Sequence, residues 1–191
     1  EYAPLEKAWV PVTGDNYFYI YCLWVSGNYK GKGYGKELLQ SCIDDAKAQG
    51  KSGICLLSSK KKKPFLSEKK FMLKYGFKVV DTINDEYELL ALSFDGTQPQ
   101  FTSNVRKQSI EGKELTIYYG VQCPYIPNCI EQIYNYCENN QIPLRLVEID
   151  TLEKAKQLPC IFNNWAVFYN GKFETVHLLN EGLLKKLLQL K

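Results

Sequence analysis

Hydrophobic and polar positions change period several times along the chain, and each change marks an element. The run YFYIYCLWV (Tyr17 to Val25) is aromatic and apolar without alternation, which predicts a strand buried on both faces. A glycine-rich stretch follows. Leu38, Leu39, Cys42, Ile43 and Ala46 then recur at helical spacing until Gly50 stops the helix. GICLLS (Gly53 to Ser58) predicts a second strand. Ser67 is placed to cap a short helix through Tyr75, closed by Gly76, and FKVV and EYELLALSF predict the strands that end this half.

The second half repeats none of this. LTIYY predicts a strand, Pro124 to about Glu138 a helix, LRLVEI a strand and TLEKAKQ a short helix. After Pro159 come the strand WAVFY, an Asn170-Gly171 hairpin turn, the strand KFETVH and a helix from Glu181. Leu183, Leu184, Leu187 and Leu188 give that helix one apolar face. Asp95 to Glu114 is polar and aperiodic, which reads as a linker or long crossing loop. The fold class is therefore α/β (α+β), with domains at 1–94 and 115–191 joined by 95–114.

At 45% hydrophobic and 14% aromatic residues, the chain has ample material for packed cores and is not expected to be disordered. A net charge of +3 is too mild for nucleic acid as the main partner. The excess sits in residues 1–94, where 14 lysines face 11 acids. No apolar run is long enough to span a bilayer, so no membrane is expected. EYAPLEKAWV carries no signal-peptide pattern. The seven cysteines are odd in number and scattered, which suits a reducing cytoplasm better than a disulfide framework. No CxxC pair or Cys/His cluster suggests a metal, and His177 is the only histidine.

Candidate chemistry concentrates in YKGKGYGKELL (Tyr29 to Leu39). A P-loop would need glycine at Lys30 and Ser or Thr at Glu37, and the dinucleotide fingerprint spaces its glycines differently. What remains is physical. Gly31, Gly33 and Gly35 let the backbone turn tightly and come close to a ligand, and the loop runs into a helix N-terminus that favours an anion. Lys30, Lys32 and Lys36 add positive charge, so a phosphate or pyrophosphate is the natural occupant. On the residues alone, a surface turn with solvated lysines stays open as the alternative.

VSGNYKGKGYGKELL resembles the acetyl-CoA loop of the GNAT acetyltransferase superfamily, with Lys30 at its R/Q position and Gly33 and Gly35 at its small ones. FMLKYGF (Phe71 to Phe77) resembles that family's closing helix and the turn beyond it. The resemblance implies that backbone amides from Lys30 through Gly31, Lys32, Gly33, Tyr34 and Gly35 to Lys36 hold the pyrophosphate of CoA. It also implies that Leu23, Trp24 and Val25 pair with the pantetheine. The family's usual proton donor, a tyrosine on the closing helix, aligns with Met72, and an asparagine at that helix's start aligns with Phe65. Tyr75 is nearby but expected in the core. The catalytic acid and base are thus not evident. The family's first strands and helices have no counterpart in the roughly sixteen residues before Tyr17, which implies a fragment or a partner that completes the sheet. Lys60 to Lys63 lies on the loop's side of the sheet and is expected to be a solvated basic loop.

The element order of the second half resembles a thioredoxin-like domain. CPYI resembles the CPYC of glutaredoxins, with Cys123 at a helix start, Pro124 at its first position and Ile126 for the second cysteine. Pro159 stands at that fold's cis-proline position and Cys160 follows it, which makes Cys123 and Cys160 redox candidates. Cys129 shares an apolar face with Ile126, Ile130, Ile133 and Cys137 and is expected in the core. The two halves together resemble bacterial acetyltransferases with a YoaP-like C-terminal domain. That implies acetyl transfer from acetyl-CoA to an amine on a small-molecule or peptide acceptor. Two rivals are a thiol-based redox or sensing protein working through Cys123, and a non-catalytic CoA-binding module. Neither the acceptor nor the oligomeric state is readable from the chain.

Overall fold

The computed structural model describes residues 1–189 and divides into two compact units. One comprises Glu1–Ala8 with Val12–Thr102, the other Trp9–Pro11 with the chain from Ser103 onward.

In chain order the first unit holds β1 (Tyr2–Pro4), β2 (Val12–Thr13), β3 (Tyr17–Ile20), α1 (Tyr34–Ala48), β4 (Gly53–Ser59), α2 (Lys69–Leu73), β5 (Lys78–Ile83), β6 (Tyr87–Ser93) and β7 (Gln100–Phe101). A five-stranded sheet runs β1-β3-β4-β6-β5, and β2 pairs with β7 apart from it. Only β3 and β4 are parallel, because α1 carries the chain back between them. Strand alternation sends Phe18, Ile20, Ile54, Leu56 and Leu90 to the helical face, where they bury Leu39, Cys42, Ile43 and Ala46 of α1 and Met72 of α2. Gly53 is required at the start of β4. A Cβ there would stand 2.6 Å from the Tyr17 ring and nearer still to the Leu92 carbonyl.

The second unit holds β8 (Leu115–Tyr119), α3 (Ile126–Asn139), β9 (Leu144–Glu148), α4 (Leu152–Lys156), β10 (Trp165–Tyr169), β11 (Lys172–Thr175) and α5 (Glu181–Leu187). Its sheet runs β11-β10-β8-β9, with β8 and β9 parallel and the other pairs antiparallel. Leu115, Ile117, Trp165 and Val167 turn to one face and pack on α3 and on Leu184 of α5. Ala166 and Phe168 turn to the other, where Ile149, Ala155, Leu158, Cys160 and Phe162 meet them. Thr151 caps α4 by accepting from the Lys154 amide at 3.2 Å, and Asn180 caps α5 by accepting from the Leu183 amide at 2.9 Å. Asn170 and Gly171 both take positive φ, as the hairpin turn between β10 and β11 demands.

Three element expectations need correction. The strand expected over Tyr17–Val25 stops at Ile20, and Trp24 is exposed rather than buried. Leu38 does not join the apolar stripe of α1 but points outward. α2 begins after Glu68, so Ser67 stands one residue too early to cap it, and no side chain caps the helix. The segment 95–114, read as a linker or long crossing loop, carries short elements of its own. It holds β7, a 3-10 helix over Ser103–Lys107 and the buried Val105.

Candidate functional site

The glycine loop joins a short turn to the start of α1. A 3-10 turn over Gly27–Tyr29 leads into it, and α1 begins at Tyr34 with Gly33 as its N-cap. Gly31 and Gly33 take φ of 76° and 89°, where a side chain would be strained, and the extended Lys30 precedes them. Left-handed residues in such a turn tip neighbouring N–H groups toward one point, the arrangement that holds anions. The amides from Gly31 to Gly35 have no protein acceptor among the described residues, whereas those of Lys30 and Lys36 are taken by the Gly27 and Gly33 carbonyls. The expected cradle of amides from Lys30 to Lys36 therefore narrows at both ends, leaving Lys30 and Lys36 to contribute side-chain charge. Lys30, Lys32 and Lys36 are all exposed, and the dipole of α1 adds its positive end. Gly35 faces Phe71 at 3.8 Å and Val25 at 4.0 Å, distances at which a Cβ would fit.

Beside the loop the parallel pair comes apart. The β3/β4 register ends at Tyr19 opposite Cys55, but β4 continues to Ser59 against β6. The Tyr21 and Cys22 amides turn away to the Glu1 carbonyl, and the amides of Leu23, Trp24 and Val25 find no acceptor among the described residues. Beyond Tyr19 and Cys55, β3 and β4 no longer pair. The buried Tyr19 hydroxyl meets the Leu57 backbone, two residues past the last β3/β4 pair. Burial holds that hydroxyl well above the ordinary phenol range.

On the outer side of α1 lies a groove of about 510 Å³, lined by Trp24, Tyr29, Tyr34, Glu37, Leu38 and Ser41 among others. Trp24 is 61% exposed and Tyr29 56%. Sequence reasoning missed this groove because its residues belong to a supposed strand, a loop and a supposed core face. The i, i+3, i+4, i+7 spacing of Tyr34, Glu37, Leu38 and Ser41 was the available signal.

Comparison with known proteins finds relatives for both parts of the chain. Residues 2–77 match the profile of the acetyltransferase (GNAT) family, and residues 143–186 match that of the YoaP-like family. An uncharacterised N-acetyltransferase of Bacillus subtilis, YoaP, is 39% identical over 190 residues, covering 98% of this chain and 76% of that protein. The chain belongs to the GNAT acetyltransferase family. It is an acetyltransferase with a YoaP-like region in its second unit. A crystal structure assigned to the GNAT family, from Desulfovibrio desulfuricans, is 17% identical with a TM-score of 0.39. It covers 48% of this chain, and this chain spans 58% of that one, a likeness too distant to bear on the site.

For a GNAT acetyltransferase, the closing helix is the informative departure. Met72 is 1% exposed and belongs to the core against Phe18, Ile20 and Leu39, so it offers no group to a thiolate. Tyr75 is half-buried and packs on the same core, its ring 5.0 Å from that of Phe71. Phe65 is exposed at a positive φ of 63°. Sequence reasoning also missed Glu88, an inward position of β6 directly opposite Ser58. Its carboxylate is nearly buried and fastened to Lys69 at 2.6 Å, tying the first turn of α2 to the sheet. The Lys60–Lys63 run is partly neutralised, with Lys60 paired to Asp85, Lys62 to Glu68 and Lys63 to Glu86.

The cysteines of the second unit are not arranged as a redox pair. α3 begins at Ile126 with Tyr125 as N-cap, so Cys123 precedes the helix and Pro124 is not its first residue. Ile126 is the first helical residue, and Pro127 stands at the second position. Cys123 packs against the α3 face of the sheet, while Cys160 is fully buried in the cluster on the opposite face. Burial pushes the Cys160 thiol far up, away from the thiolate. The peptide bond before Pro159 is trans, not cis. Cys129 lies in the core as expected and donates to the Leu179 carbonyl at 3.0 Å. Among the described residues, no group of three His, Cys, Asp or Glu is placed to hold a metal, and no helix is long and apolar enough to cross a membrane.

Proposed function

We propose that this acetyltransferase takes its acetyl group from acetyl-CoA and passes it to an amine on a small-molecule or peptide acceptor. One observation carries the reading. The unpaired amides from Gly31 to Gly35 lie at the N-terminus of α1, and a second unpaired set lies at Leu23, Trp24 and Val25, past the end of β3. A pyrophosphate suits the first, with Lys30, Lys32 and Lys36 around it. An extended pantetheine with its own amides suits the second, completing the β3 edge where β4 has parted from it. The thioester then lies near the opening past Tyr19 and Cys55. There a neutral amine attacks the carbonyl carbon, the C–S bond breaks, the new amide sheds the amine proton and the CoA sulfur takes one up. Positioning of the two reactants supplies much of the rate, since no side chain at Met72 can do so.

The domain reading that goes with this assigns 1–94 to the acetyltransferase, 95–114 to the connection and 115–191 to a thioredoxin-like domain. The strand order β11-β10-β8-β9, with only β8 and β9 parallel, supports that description of the second. Seven free thiols suit a reducing cytoplasm.

Calorimetric titration with acetyl-CoA, CoA and ATP tests the donor. Binding of acetyl-CoA and CoA at about micromolar Kd, without ATP, is expected. A Gly33→Glu and Gly35→Glu double variant should lose it, because two carboxylates would occupy the cradle. Equal affinity in that variant would remove the site assignment.

A further inference from the structure

The groove on the outer side of α1 shares Trp24, Val25 and Tyr34 with the donor reading, while Glu37, Leu38 and Ser41 belong to it alone. Tyr34, Glu37, Leu38 and Ser41 form one stripe of α1 along it, and Trp24 and Tyr29 close it from the strand end and the loop. A contiguous patch of exposed rings and leucine at one place on a surface marks a binding site more often than chance. Glu37 is the only acid among its lining residues, and its carboxylate has no hydrogen-bonding or ionic partner among the described residues.

The rings already show their preference. The Lys32 ammonium stands 5.4 Å from the Tyr29 ring centroid, and Tyr29 and Tyr34 meet edge to face at 6.2 Å. Aromatic faces beside a carboxylate that has no ion-pair partner attract an organic cation. A neutral apolar ligand would cover Glu37 and leave its charge without a partner. An anion would meet that charge directly.

We propose that this groove binds an alkylammonium group of the acceptor. The acceptor is then a diamine or a lysine-like chain with two amino groups. One stays protonated among Trp24, Tyr29, Tyr34 and Glu37, and the other, neutral, attacks at the strand opening. The held group is the one that does not react, because only an uncharged nitrogen has the lone pair that the thioester requires. Trp24 links the two places, since its side chain lines the groove and its backbone belongs to the open strand end. This inference rests on the acetyl-transfer reading above.

The test uses the whole protein and follows tryptophan fluorescence during titration with tetramethylammonium, with 1,5-diaminopentane and with 2,2-dimethylpropan-1-ol, an uncharged alcohol of similar shape to the first. Trp24→Phe identifies the reporting residue. Saturable quenching by the two cations and not by the alcohol is expected, weakened about tenfold in Glu37→Gln and in Tyr29→Leu. In acetylation assays, Glu37→Gln should raise KM for the diamine and leave KM for acetyl-CoA unchanged. The proposal is overturned if the alcohol quenches as well as the cations. It is equally overturned if Glu37→Gln changes nothing, or if a Leu38→Asp variant dissociates a dimer that had covered the groove. Acetyl-CoA calorimetry on the same samples separates the two readings. Normal acetyl-CoA binding without cation quenching removes only the groove, whereas cation quenching without acetyl-CoA binding removes the donor site.

Discussion

Met72 shows how a single residue can stand at a catalytic position in a sequence and do something else in the fold. Its side chain fills the core beneath α2 at 1% exposure, among Phe18, Ile20, Leu39 and Phe77. Restoring the family's tyrosine there does not restore an acid, because a ring with a hydroxyl must be forced into filled space. Met72→Tyr is expected to destabilise the protein by about 1–3 kcal/mol, the usual range for overpacking, and to give no gain in kcat. Urea denaturation together with acetylation rates checks both parts. A rise in kcat at unchanged stability would show that α2 can turn that position toward the donor. Tyr19 is the contrasting residue. Sequence reading made it one of several strand aromatics, yet its hydroxyl lies where β3 and β4 part.

At the scale of elements, strand ends and caps govern what is exposed. The turn after β6 depends on Asp95, which accepts from the Thr97 hydroxyl at 2.6 Å and the Thr97 amide at 2.9 Å. These bonds, with others from Ser52 and Ser93, hold its carboxyl down at about 2, below the ordinary aspartate range. A carboxyl lowered on folding stabilises the protein above its unfolded value of about 3.9 and ceases to do so as pH falls toward its folded value. Asp95→Asn should therefore lose less stability than the wild type between about pH 5 and about pH 2.5 in urea midpoints. Equal losses would mean that the turn's hydrogen bonds do not distinguish folded from unfolded Asp95. The same scale explains the missed strand end. Tyr21 to Val25 has strand composition, but β4 stays with β6 on its other side, so no neighbour completes the ladder.

For the molecule as a whole, the boundary does not follow chain order, since Trp9–Pro11 groups with the second unit. Trp9 packs on the cluster of Ala155, Leu158, Cys160 and Phe168. Because Trp9 is only half-buried, Trp9→Ala is expected to cost about 1–3 kcal/mol, less than removing a fully buried tryptophan. Hydrogen exchange should show the loss at β8 and β10. Unchanged protection there would mean that the N-terminal segment contributes nothing to that core.

The sequence by itself determined the α/β class, most element centres and the glycine loop. It also determined the Asn170-Gly171 turn, the α5 leucine face and the core place of Cys129. Periodicity, turn chemistry and helix starts are local, so they are written in neighbouring residues. Only the tertiary structure decided where β3 stops and that Leu38 faces out. It alone placed Met72 in the core, put Cys123 and Cys160 on opposite faces of a sheet and exposed Glu37 beside three rings. Each of these depends on which distant strand or helix covers a given face, and side-chain spacing along one segment does not contain that information.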